Sequence, residues 1–81
     1  MKFQSELQNW STSKLRQACN ELIAFKNTGM LEDGHVREFA QMIKEDTNGG
    51  AFDNLSLAQS MIQDEAIRRF VAVTEALKIN A

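Results

Sequence analysis

The chain has 81 residues, with 9 basic and 11 acidic side chains and a net charge of -2. That length fits one domain, residues 1–81, and the charge gives no electrostatic footprint for nucleic acid. With 43% hydrophobic residues it is too apolar to be disordered throughout, and its single cysteine, Cys19, excludes an internal disulfide. No apolar run approaches the ~20 residues of a membrane span. The opening MKFQSELQNW lacks the continuous apolar stretch of a signal peptide, so the expected location is cytoplasmic, with no membrane partner.

Phe3, Leu7 and Trp10 recur at helical spacing and predict a short first helix over residues 3–10. Ser11-Thr12-Ser13 follows, and hydroxyl residues favour a helix start over a helix interior. With Ser11 as N-cap, Trp10 and Leu15 stand at the spacing of a hydrophobic staple. The second helix, 12–27, carries Leu15, Ala18, Cys19, Leu22 and Ile23 along one side. Asn27-Thr28-Gly29 ends it, with Gly29 suited to the left-handed conformation past the last turn. The alternative is one unbroken helix from Phe3 to Asn27, about 37 Å long. We favour the break.

A third, short helix is expected over 33–46. Glu32 and Asp33 supply negative charge at its start, and Val36, Phe39, Ala40 and Ile43 form its apolar stripe, flanked by Met42. Thr47-Asn48-Gly49-Gly50 stops it. Asp53 then reads as the N-cap of the last helix, with Phe52 and Leu57 as a second staple. That helix, 54–78, is the strongest element in the chain, free of Gly and Pro. Ala58, Ile62, Ala66, Phe70, Val73 and Leu77 recur along one stripe, and Leu57, Met61, Ile67 and Val71 widen it. Asp64 and Glu65 precede Arg68 and Arg69 by one turn, the order expected of a solvated, salt-bridged face.

The fold class is therefore all-α: a small three-helix bundle with a long C-terminal helix and a short N-terminal one. The lengths conflict, because the third helix is about half as long as the fourth. Phe3, Leu7 and Trp10 are the internal candidates to cover the far end around Phe70, Val71, Val73 and Leu77. Failing that, an open apolar patch remains, and such patches mark interaction sites.

Groups that carry chemistry are scarce. Cys19 lies with Leu15 and Leu22 and reads as a small core hydrophobe. His35, the lone histidine, has scattered carboxylates around it without metal-ligand spacing and reads as a solvated first-turn residue. Counted as a calcium loop from Asp46, the chain has Ala51 where glycine is needed and Leu57 where a bidentate glutamate is needed. Gly49-Gly50 has no strand before it and no Lys-Ser or Lys-Thr after it, so it is no phosphate cradle. No nucleophile, base and orienting group assemble, so we expect no enzyme, no cofactor and no metal.

The expected function is a small non-enzymatic regulator that binds another protein as inhibitor, adaptor or modulator. The analogy is with small phage and mobile-element proteins that disable host machinery. The candidate interface residues are Trp10, Phe70, Val73, Leu77 and Arg69, and homodimerisation is a further expectation. One alternative is a dimeric helix-turn-helix DNA reader, disfavoured because Glu32 and Asp33 would face phosphate. The other is a structural or assembly subunit.

Overall fold

A computed structural model describes residues 2–47 and 54–79. It contains four α-helices in the order α1 (Lys2–Asn9), α2 (Thr12–Thr28), α3 (His35–Asp46) and α4 (Asn54–Ile79), and no strand among the described residues. The all-α class is as expected. The Asn48–Gly50 stop, the calcium-loop comparison and the Phe52 and Asp53 start of the last helix lie outside the described residues.

Each described boundary has a local cause. The chain breaks between α1 and α2 because Ser11 is extended (φ -62°, ψ 157°) and its hydroxyl accepts the Lys14 N–H at 3.0 Å. Trp10 N–H turns back to the Leu7 carbonyl at 3.2 Å, closing α1. At the other end of α2, Gly29 takes φ 75° and donates its N–H to Phe25 O at 2.8 Å. Thr28 Oγ1 also donates to Ala24 O at 2.9 Å. Thr47 ends α3 through its own N–H and hydroxyl, both donated to Ile43 O.

The start of α3 differs from the expectation. The helix begins at His35, not residue 33, and its N-cap is Gly34, which has no side chain to offer. Glu21 of α2 caps it instead: Oε2 accepts from His35 N–H at 3.2 Å and Oε1 from Val36 N–H at 3.0 Å. A carboxylate there satisfies two orphan donors and meets the positive end of the helix dipole. Glu32 and Asp33 stay in the exposed link, where Asp33 pairs with Arg37 at 3.3 Å. Arg37 also donates to the Leu31 carbonyl.

The core is one cluster drawn from all four helices: Phe3, Leu7, Trp10, Leu15, Ala18, Leu22, Val36, Phe39, Ile43, Ala58 and Ile62. Phe39 is its aromatic centre. Phe3 meets it edge-on at 6.5 Å between centroids, and Trp10 does so at 5.6 Å. These contacts place α1 on α3, and they correct one expectation. Phe3, Leu7 and Trp10 are spent on the middle of the bundle and do not cover the far end of α4. Ile23 likewise departs from the expected inward side of α2 and is exposed.

Candidate functional interface

The first half of α4 belongs to the core. Ala58 and Ile62 are fully buried, and Leu55, Leu57, Met61 and Ala66 pack against the cluster. Beyond Arg69 the helix leaves the bundle. From Phe70 to Leu77 every residue except Thr74 is exposed. At 1.5 Å per residue α4 is about 39 Å long and α3 about 18 Å, so its C-terminal turns outrun the body. The apolar stripe nonetheless continues. Ile67, Phe70 (67% exposed), Val71, Val73 and Leu77 (64% exposed) all face out. On a wheel of 100° per residue they and Thr74 span one broad face of about 160°: Val73 and Leu77 continue the line of Ile62, while Ile67, Val71 and Thr74 lie on the side turned away from it.

The candidate residues therefore separate. Phe70, Val73 and Leu77 come together on the open face. Trp10 does not join them, because it is buried against Phe39, 7% exposed. Its ring is covered by Lys14 Nζ, 4.6 Å from the centroid, and tilted against His35 at 6.1 Å, while its indole N–H donates to Glu6 at 3.4 Å. Arg69 is held at the root of the projecting segment: Nε donates to Glu65 Oε2 at 2.7 Å, and Nη2 reaches across to the Leu7 carbonyl at 3.0 Å. That carbonyl is in the last turn of α1, where a cation is favourable. Val71 belongs to the far end that the sequence leaves uncovered, and the structure adds Ile67, which the sequence reads only as widening the core stripe, to the exposed face.

Glu65 corrects a second expectation. It is not part of a solvated ladder: its residue is 7% exposed, and it takes Arg68 on Oε1 at 2.5 Å as well as Arg69 on Oε2. Burial pushes its carboxyl up, but the hydrogen bonds and charges of the two arginines outweigh that and hold it below the ordinary range. Asp64, beside it, is exposed.

Reactive groups are not assembled elsewhere among the described residues. Cys19 is half-buried against the core, and burial pushes its thiol up, away from the nucleophilic thiolate. His35 is half-buried rather than solvated; its Nε2 hydrogen-bonds Gln17 Oε1 at 2.9 Å, and its Nδ1 is buried without a partner among the described residues. A groove of about 430 Å³ along α2 is lined by residues including Gln17, Glu21, Ala24 and Met30, and by neither Cys19 nor His35. Among the described residues no group of three or more His, Cys, Asp or Glu could hold a metal ion, and no helix is long and apolar enough to cross a membrane. No family model, curated protein or solved structure matches this chain. The exposed half of α4 is thus the most distinctive feature on which a functional reading can rest.

Proposed function

We propose that the chain is a small non-enzymatic regulator that works by binding protein, with the projecting half of α4 as the element it presents. One observation carries the reading: five large apolar side chains stand exposed together on α4, four of them on turns that have left the helix's own core. They offer about 600 Å² of accessible surface, the upper end of the patch size found on ordinary monomers. A helix with anchors at Phe70, Val73 and Leu77 has the i, i+3, i+7 spacing that fits a helix-in-groove contact. Glu65, Arg69 and the Leu7 carbonyl fix its root, so the helix leaves the body in a set direction. Preorganisation of this kind lowers the ordering cost of association. The proposal includes a cytoplasmic site of action, in keeping with a lone, unpaired cysteine.

The DNA-reading alternative draws less support. Its recognition helix would be α3, whose N-terminal N–H groups are already taken by Glu21, and whose first turn adds Glu38. Phosphate would meet negative charge there.

The test is recovery of a partner from a lysate of the source cells, comparing the natural chain with Phe70→Asp and Leu77→Asp. Both positions are exposed, so the fold should survive, which circular dichroism checks. Loss of the recovered partner with both variants is expected. A partner retained equally by all three proteins would remove the α4 face from the account.

A further inference from the structure

We propose that the occupant of the exposed α4 face is a second copy of this chain, paired antiparallel about a twofold axis level with Ala72. The inference rests on reading that face as an association surface, and it names the partner.

The spacing is the first argument. Ile67, Phe70, Thr74 and Leu77 alternate in steps of three, four and three, which is a coiled-coil seam, and Val71 and Val73 flank it on either side. Antiparallel pairing about Ala72 sets Ile67 opposite Leu77 of the second copy and Phe70 opposite its Thr74. The largest ring then meets the smallest seam residue, twice. A parallel pair would set Phe70 against Phe70 and Thr74 against Thr74, crowding one layer and leaving the next thin.

The seam can also be dried without penalty. Thr74 is its one polar member, and its hydroxyl is already directed to carbonyls of its own helix, Phe70 O at 3.1 Å and Val71 O at 2.9 Å. Burying it strands no donor. Arg68 and Glu75 lie off the seam on the wheel, and Arg69 points to the body, so the pairing desolvates none of these three charges.

Size and shape agree. Two faces of about 600 Å² bury at most about 1,200 Å² together, the lower edge of specific stable interfaces. The helical body packs only on the first half of α4, so antiparallel pairing puts the two bodies at opposite ends of the joined rods. Parallel pairing would bring both bodies, and both Glu65–Arg68 clusters, to the same end.

The test uses the full-length protein. Its mass by sedimentation should rise with concentration from one chain to two, with a midpoint on the order of micromolar, as the modest area implies. Phe70→Glu should raise that midpoint about thirtyfold or more, the loss expected at an interface centre. Direction is read by single cysteines in a Cys19→Ala background, treated with a short bismaleimide. Val71→Cys and Val73→Cys lie near the axis and should give cross-linked dimers. Leu77→Cys should not, because antiparallel copies set the two positions about 15 Å apart along the axis. Efficient cross-linking at Leu77→Cys would overturn the antiparallel arrangement. A single-chain mass at every concentration would overturn the second copy as occupant, yet a lysate partner lost with Phe70→Asp would leave the association reading standing. A dimer indifferent to Phe70→Glu would overturn this inference by placing the contact elsewhere.

Discussion

Glu65 lies where a carboxylate is uncommon, at the foot of the projecting turns with both oxygens engaged by arginines. Because its pKa is lowered in the folded chain relative to an ordinary 4.5, the stability it adds is complete above that value and is lost as pH falls through the lower, folded one. Glu65→Gln should cost about 1–3 kcal/mol near neutral pH, the usual worth of hydrogen bonds to charged groups. It should also flatten the acid limb of stability against pH, as read from urea midpoints. An unchanged acid limb would assign that slope to other carboxylates. Gly34 makes a second residue-scale point. Its φ of 169° is extended backbone open to any residue, so space is what calls for glycine. An added Cβ would lie 2.7 Å from Glu21 Oε1. Gly34→Ala and Glu21→Ala should each cost about 1 kcal/mol through the lost cap. In the double variant the alanine at Gly34 should cost much less, because the displaced carboxylate is gone. Strict additivity of the two would contradict the shared cause.

Elements are where the sequence was most legible, and the reasons are physical. Ser11 and Gly29 act within four residues of themselves, so the spacing of hydroxyls, glycine and apolar residues places the ends of α2. Glu21 reaches α3 across fourteen positions, and nothing local marks it. The same limit hid the docking of α1. Its apolar spacing gives a helix, but only tertiary packing decides that Phe3 and Trp10 meet Phe39 rather than Phe70. The interface was half legible: the excess length and apolarity of α4 point to Phe70, Val73 and Leu77, while the burial of Trp10 and the internal engagement of Arg69 depend on the fold. Two aromatic truncations separate the halves of the bundle. Phe39→Ala should lose about 3–5 kcal/mol, a full core deletion, and Phe70→Ala should stay within about 0.5 kcal/mol when measured at concentrations where the chain is single. A large loss at Phe70 under those conditions would mean the turn is covered within one chain. Ser11→Ala should cost about 1 kcal/mol by removing the side-chain cap on the Lys14 N–H.

Across the whole molecule, order should be graded along α4. The stretch from Phe70 to Leu77 has helix hydrogen bonds but, among the described residues, no neighbouring helix to shield them, so its amides should exchange with solvent faster than those near Ala58 and Ile62. Raising protein concentration should slow that exchange selectively if the turns become paired. Uniform protection along α4 in dilute solution would mean that the turns are stable alone, which short helices in water rarely are.

Trp10 is the only tryptophan in the chain, and it sits at the joint between the N-terminal helix and the body. Its emission is therefore a built-in optical gauge. A red shift reports the first helix peeling away from Phe39 and His35, whereas events at the distant tip of the last helix leave the colour alone. Undocking at one end and assembly at the other can thus be followed in one cuvette, without attaching a dye.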